Sequence, residues 1–462
     1  MREFVTDLLA RHGDDLPVFT HDHTVTRGSL RASVAAEAAV FAASGVGEGT
    51  TVAVQVPPSF TQLEAVLALW TLGARVVPID HRLTPAEVGV LRELARPQFV
   101  VRATDRFTGA FRERYELVTE RRRDGLPAAT RHRLVQFTSG STGRPKVVGR
   151  STESVIREVM RFAAAGDMAR HGEKFLILNN TAYSFGLMGG LLHALAAGVE
   201  LVFATRSSSA EDILRAAGRH RVDFLSGQPF HFDLLAKAGP AEGGPAGADP
   251  VGALRTVRGA LAGGELMPPE VAEAFAAVHG FAVGECFGTT ETGALTMDVS
   301  GASRPSVGRP LSDTTIRVRE GLVEVALDES PYLTEDDGPS RYSDGWFRTG
   351  DRGEFDAEGN LRLLGRSDSL VMVRGFNVDL TEVEGALRAH PLVTEAIAVY
   401  DAAVQAYIST GSDTLTSDQV AAWCAERLAE FKLPERVHVL RALPRTPSGK
   451  LVRNPRVLAD AR

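Results

Sequence analysis

Helical and strand signals alternate along the chain up to about residue 230, with glycine at the joins, and this pattern restricts the chain to sheets covered by helices on both faces. Ser59 to Leu72 places Leu63, Val66, Leu67 and Trp70 at helical spacing, Gly73 can close the helix, and Val76-Val77-Pro78-Ile79 then reads as a buried strand. The same order recurs in the helix Leu187 to Ala197, its Gly198 and the strand Val199 to Phe203, and again in the helix Ser209 to Gly218 and the strand Val222 to Leu225. Strands that are apolar throughout predict doubly covered, mainly parallel sheets. No short-period repeat interrupts the pattern, which disfavours a solenoid.

Residues 238 to 250 are mostly Gly, Pro and Ala and predict an exposed loop. After about residue 300 short strands and turns take over, including a hairpin from Glu354-Phe355 through a turn at Asp356 to Gly359 into Leu361 to Leu364. From Gly365 the order is strand (Leu370 to Val373), helix (Leu380 to Ala389, capped by Asp379), strands Val393 to Val399 and Gln405 to Ser409, helix (Asp418 to Glu430, capped by Ser417) and strand (Arg436 to Leu440). The expectation is an α/β protein with a large N-terminal domain, residues 1–366, and a small C-terminal βαββαβ α+β domain, residues 367–462.

With 462 residues, 44% apolar and 24% charged, the chain is neither disordered nor a coiled coil. Its formal net charge of −7 supplies no basic field to gather nucleic acid or an anionic membrane. Cys286 and Cys424 belong to no CxxC, so no disulfide framework or cysteine zinc site is expected. Asp7, Arg11, Asp14 and Asp15 break the N-terminus before an apolar run develops, which excludes a signal peptide and predicts a cytoplasmic protein. The apolar stretch Phe185 to Phe203 carries His193, Glu200 and four glycines, and reads as a buried helix and strand and not a membrane span.

Chemistry concentrates in three clusters. Thr138-Ser139-Gly140-Ser141-Thr142-Gly143-Arg144-Pro145-Lys146 combines hydroxyl donors, glycines and a lysine, a composition suited to polyphosphate. It is not a Walker A motif, because Pro145 separates Gly143 from Lys146. Leu134-Val135 before it and a helix starting near Ser151 predict a strand-loop-helix connection, a favoured place for anions. In Gly284-Glu285-Cys286-Phe287-Gly288-Thr289-Thr290-Glu291-Thr292-Gly293, Phe287 offers a ring face to a planar base and Glu291 a carboxylate to a magnesium ion bridging phosphates. The third, Trp346-Phe347-Arg348-Thr349-Gly350-Asp351, places a carboxylate after a Gly turn, where it can accept two ribose hydroxyls.

These clusters, in this order, resemble the adenylate-forming superfamily of acyl-CoA synthetases, nonribosomal peptide synthetase adenylation domains and firefly luciferase. The resemblance covers almost the whole chain, through Ala262-Gly263-Gly264-Glu265-Leu266, Val307-Gly308-Arg309-Pro310, Gly365-Arg366-Ser367-Asp368, Val373 to Val378 and Pro447-Ser448-Gly449-Lys450. It implies that a carboxylic acid attacks the α-phosphate of ATP, with magnesium, to give an acyl adenylate and pyrophosphate, and that the acyl group then passes to a thiol. It implies that Thr138 to Lys146 hold the β- and γ-phosphates, Thr290 the α-phosphate and Glu291 the metal. Phe287 and the Gly263-Gly264 turn would face the adenine, with Glu285 in the same nucleotide site, Asp351 the ribose, and Arg366 the ribose or phosphate. Lys450 would serve adenylation, carried by a small domain that turns about the hinge Asp368. Only five lysines occur, Lys146, Lys174, Lys237, Lys432 and Lys450, and two of them fall in these loops.

Departures from the family pattern narrow the substrate. Amino-acid adenylation domains usually carry an aspartate for the α-amine in the region here written Asn180-Thr181-Ala182-Tyr183-Ser184-Phe185-Gly186-Leu187, and this run contains no acid. The resemblance therefore favours an aryl or acyl acid without an α-amino group, lined by Tyr183, Phe185, Phe230 and Gly288. Met372 stands where the family often has lysine, and Asp401-Ala402-Ala403 is a short connection between two strands. Both point to a carrier-protein phosphopantetheine as acceptor, with coenzyme A or an amine-type nucleophile as alternatives. The tail from Leu440 is rich in arginine, which would suit an acidic carrier or a pyrophosphate group. Retention of Lys146, Glu291, Asp351, Arg366 and Lys450 argues against a non-catalytic relative of ligases. The tail lacks the aromatic residues of a nucleic-acid binder, and the group His21, Asp22 and His23 lacks partners for a zinc hydrolase.

Overall fold

The computed structural model describes residues 1–105, 107–138, 145–238, 250–334, 341–373, 376–401, 403–428, 432–446 and 449–461, without the side chains of 86, 250, 251, 368, 370, 372, 376 and 377. Ser139, Gly140, Ser141, Thr142 and Gly143 lie outside the described residues, as do most of the 238–250 segment, Arg374-Gly375 and Pro447-Ser448.

The chain forms two compact units, one of Met1–Arg317, Val325–Phe347 and Phe355–Arg362, the other of Val318–Glu324, Arg348–Glu354 and Leu363–Arg462. The larger is an α/β unit with two sheets. One has six strands, ordered Leu117–Arg121, Phe99–Ala103, Thr51–Gln55, Arg75–Pro78, His132–Thr138 and Lys146–Ser151, with parallel pairs at its centre and an antiparallel pair at each edge. In the second, of nine strands, Pro17–Thr20, Glu200–Val202, Lys174–Ile177, Phe224–Gly227, Gly259–Gly263 and Val283–Thr289 run parallel. The helix Phe60–Thr71 is buried from Phe60 to Trp70 and capped by Ser59, whose hydroxyl accepts from Gln62 N at 3.0 Å. Its core cluster takes in side chains from both sheets, among them Val52, Leu134, Phe175 and Leu261.

The predicted helix at 187–197 is present with a local difference. Gly186–Leu192 is π-helical and His193–Ala197 α-helical, closed by Gly198 at φ +72°. Among the described residues no helix is long and apolar enough to cross a membrane.

The connection after Thr138 differs from the sequence expectation. Lys146–Ser151 is a strand that pairs antiparallel with His132–Thr138, in register from Thr138 opposite Lys146 to Leu134 opposite Arg150, with a bulge before His132 meets Ser151. Helix Thr152–Ala164, capped by Ser151, starts at the far end of this hairpin. The β-branched Val147 and Val148, both buried, favour the extended ladder over a direct turn into helix. A helix N-terminus therefore does not support this loop.

In the smaller unit Glu395–Asp401 and Ala403–Ser409 pair antiparallel, and Arg436–Leu440 runs parallel to the second. Helices Leu380–Arg388 and Ser417–Ala425 contribute to its core, with Val383, Leu387, Val420 and Cys424 packed among Ala398, Ala406 and Ile408. The strand Leu370–Val373 forms a separate hairpin with Phe376–Asp379. Asp379 caps its helix as expected, but the second helix is capped by Thr416, whose capping box with Gln419 outcompetes Ser417.

Two carboxylates share an interior site between helices Arg27–Ala43 and Phe60–Thr71. Glu64 is fully buried and paired with Arg114, and Glu37 is pushed up to about 8, chiefly by burial and next by the Glu64 charge. A carboxyl raised in the folded state stabilises the protein fully below about pH 4.5, and that contribution is lost as pH rises through about 8. Glu37→Gln is expected to match the parent near pH 4 and to exceed it at pH 9, by on the order of a few kcal/mol. Denaturant unfolding at both pH values measures this, and an equal pH slope in the two proteins would exclude it.

Candidate active site

Several of the predicted site residues of the larger unit fall at the carboxyl ends of parallel strands, where α/β sheets open to ligands. Thr138 ends its strand, Gly263 ends Gly259–Gly263, and Tyr183 and Phe185 lie beyond Lys174–Ile177. Phe287, Gly288 and Thr289 close Val283–Thr289, and Phe230 lies in the first turn of Pro229–Lys237, the helix after Phe224–Gly227.

Lys146 and Glu291, far apart in sequence, are brought to one tyrosine. The Lys146 ammonium stands 4.9 Å from the Tyr332 ring centroid, and the Tyr332 hydroxyl donates to Glu291 Oε1 at 3.0 Å. Burial, then the Glu291 charge, raises the Tyr332 phenol, which stays protonated as the donor. Glu291 rides on a turn from Thr289 to Thr292 closed by their own groups, Thr289 N donating to Thr292 Oγ1 and Thr292 N to Thr289 Oγ1, both at 3.3 Å. Tyr332, absent from the sequence expectation, sits in a turn-rich segment with no motif to mark it.

Gly264, with φ +96°, makes the turn that leaves Gly263 open to close approach, and a Cβ on Gly263 would come within 3.0 Å of the Phe185 ring. The nucleotide turn and a pocket residue are therefore neighbours. Glu285 is buried; its Oε1 accepts from Met267 N at 2.8 Å and its Oε2 pairs with Arg304 at 3.0 Å. This carboxylate ties the Gly264 turn to the Phe287 strand, and burial raises its pKa despite these partners.

The run 180–184 contains no acid, yet one reaches it from outside. The Asp80 carboxylate accepts from Asn180 Nδ2 at 3.0 Å and Tyr183 OH at 3.1 Å. Its charge is met by Arg82, whose Nε and Nη2 donate at 3.0 and 2.8 Å. Asp80 lies two residues beyond the strand Arg75–Pro78, after Ile79, and that position after a parallel strand was a signal available in the sequence.

In the smaller unit Arg366 Nη1 lies 3.3 Å from Asp351 Oδ1, and Asp351 N donates to Thr349 Oγ1 at 3.0 Å, so the two residues expected at the ribose meet. Asp368 lies in a single 3-10 turn, Ser367–Ser369, and its side chain is outside the described residues. Lys450 is exposed on a turn in which Thr446 N donates to the Lys450 carbonyl at 2.6 Å and Lys450 N to Thr446 Oγ1 at 3.1 Å. Arg445, paired with Glu395, anchors that turn, and Arg453 pairs with the buried Glu384. Those two tail arginines are thus turned to their own unit and not to an outside acidic partner.

Among the described residues no group of three His, Cys, Asp or Glu side chains could hold a metal ion by itself. One carboxylate beside a lysine and hydroxyl donors fits magnesium of the kind completed by phosphate oxygens. The arrangement gathers cationic, carboxylate and hydroxyl groups in one unit and a carboxylate–guanidinium pair in the other.

The family model of AMP-binding enzymes matches residues 6–329, and that of the AMP-binding enzyme C-terminal domain matches residues 382–450. The chain belongs to the AMP-binding enzyme family and is an adenylate-forming ligase of the acid–thiol type. It is 29% identical to sulfoacetate–CoA ligase of Cupriavidus necator, over 93% of this chain and 92% of that protein. It is 26% identical to 2-succinylbenzoate–CoA ligase of Bacillus licheniformis, over 96% of each. O-succinylbenzoate coenzyme A synthetase from Bacillus subtilis, solved in complex with ATP and magnesium ion, superposes with a TM-score of 0.79 at 25% identity, covering 99% of both chains.

Proposed function

We propose that the protein uses ATP and magnesium to adenylate an aryl or acyl carboxylic acid without an α-amino group, and then passes the acyl group to a thiol. The observation that carries this reading is the convergence of Lys146 and Glu291 on Tyr332. Thr138 and Lys146, with the intervening loop, would hold the β- and γ-phosphates, and Thr290 the α-phosphate. Phe287 and the Gly263-Gly264 turn would face the adenine, Glu285 would fix that turn, and Asp351 with Arg366 would take the ribose. Magnesium held by Glu291 would neutralise phosphate charge. Lys450, carried by the small domain 367–462 turning about Asp368, would place its ammonium where negative charge builds as the acid oxygen adds to phosphorus.

Tyr183, Phe185, Phe230 and Gly288 would line the acid pocket. Asp80 is already matched by Arg82, so it does not offer an uncompensated carboxylate to an ammonium group. Pyrophosphate exchange over aryl, short-chain, long-chain and amino acids is expected to give activity with acids lacking the α-amine. Robust exchange with an α-amino acid, and none with its deaminated analogue, would overturn this and make Asp80 the amine ligand.

The thiol is proposed to be a carrier-protein phosphopantetheine, with coenzyme A as the second reading, favoured by the CoA-ligase relatives. Product mass after reaction with each acceptor separates them.

A further inference from the structure

Behind the Glu291 turn lies a buried ion pair that the proposed chemistry does not use. Arg150, on the strand Lys146–Ser151, and Glu158, on the helix Thr152–Ala164, are 3% and 2% exposed at their side chains and meet at 2.8 Å. Arg150 is fixed further by Nε donating to Ser154 Oγ at 2.9 Å and Nη2 to the Ser154 carbonyl at 3.2 Å. The second oxygen of Glu158 accepts from Ala294 N at 3.1 Å, three residues beyond Glu291. Arg161, from the next turn of the same helix, donates to the Ala294 carbonyl at 3.3 Å. Both polar groups of the Ala294 backbone are therefore held by one helix. Gly293 lets the carboxylate approach: its φ is +71°, and a Cβ there would stand 2.4 Å from Glu158 Oε2.

An ion pair this deep gains little over a well-packed apolar pair, because both charges lose their water. What it supplies, and an apolar pair cannot, is an acceptor fixed in direction. Arg150 Nη1 has no hydrogen-bond partner among the described residues and belongs to a residue lining a cavity of about 100 Å³ that Glu291 and Thr292 also line. The pair thus stands directly behind the turn that carries the proposed metal-holding carboxylate.

We propose that Arg150 and Glu158 are positioning residues that clamp Ala294 and thereby fix the Thr289–Gly293 turn, so that Glu291 is held in place for a magnesium–nucleotide. This rests on the reading of Glu291 given above. Two double variants separate position from stability. Arg150→Met with Glu158→Gln removes both charges and keeps an acceptor for Ala294 N, whereas Arg150→Met with Glu158→Leu removes both charges and the acceptor. Binding of Mn²⁺ in the presence of a non-hydrolysable ATP analogue, followed by electron paramagnetic resonance, reads the site without turnover, and thermal melting reports folding. The glutamine pair is expected to bind metal close to the parent, and the leucine pair about tenfold more weakly, the scale of lost outer support to a metal ligand. Should the leucine pair not fold, Arg161→Met, which releases the Ala294 carbonyl, is expected to weaken metal binding in the same direction. Glu291→Gln serves as reference. Weakened binding in Glu291→Gln with parental affinity in the leucine pair, or in Arg161→Met where that variant decides, would overturn the clamp alone. Parental affinity in Glu291→Gln would overturn the reading of Glu291, and the clamp with it.

Discussion

Lys450→Ala is expected to slow pyrophosphate exchange on the order of 10²-fold or more, the scale of losing a donor aimed at developing charge, while transfer from supplied acyl adenylate continues. Lys450 is exposed, and its turn is held by Thr446 and by the Arg445–Glu395 pair, none of which needs the lysine side chain. Its removal should therefore leave folding intact, and a lost rate reports chemistry. The two half-reactions make different demands. Adenylation builds negative charge on phosphorus oxygens, which an ammonium group can offset; breakdown of a finished adenylate by a thiol needs no cation at that position. Equal loss in both assays would assign Lys450 to the transfer conformation instead, and no loss in either would make it an ordinary surface lysine.

The second large effect concerns the two carboxylates. Glu291→Ala and Asp351→Ala are each expected to abolish measurable adenylation in a folded protein, but only the glutamate variant should recover in part as magnesium is raised. Glu291 is proposed to act by holding a metal, a role that mass action can partly replace. Asp351 is proposed to accept ribose hydroxyls, and its neighbour Arg366 would be left without that carboxylate at 3.3 Å. Magnesium cannot supply that acceptor. Pyrophosphate exchange across a magnesium series measures both variants, and equal recovery of both, or recovery of neither, would count against the assignments.

Much of this could be read from the chain because it is written locally. Ser59, Ser209 and Asp379 announced their helices through their own hydroxyls and carboxylates, and the glycine- and hydroxyl-rich runs marked where strands end. Local signals also misled. The cap at Ser151 concealed the strand before it, because six residues of ladder fit between a turn and a helix without altering the cap. The π-helical Gly186–Leu192 was hidden in the same apolar run that predicts an α-helix. Long-range pairings formed no motif: Tyr332 meets Glu291 across 41 residues and Asp80, marked only by its place after a strand, meets Tyr183 across 103. Such contacts are set by which strand ends face one another, and that is a property of the sheet order.

The hairpin that carries Thr138 and Lys146 has a consequence for anyone rebuilding this protein. Because these residues face one another across a ladder that continues to His132 and Ser151, the segment they close can be exchanged for one of different length without changing which residues pair beneath it. A single residue inserted after Lys146 would be far more disruptive, reversing the face of every side chain between the insertion and the helix. The loop's composition and the scaffold's integrity are therefore separable variables, and nucleotide preference could be varied by loop grafting on an unaltered frame.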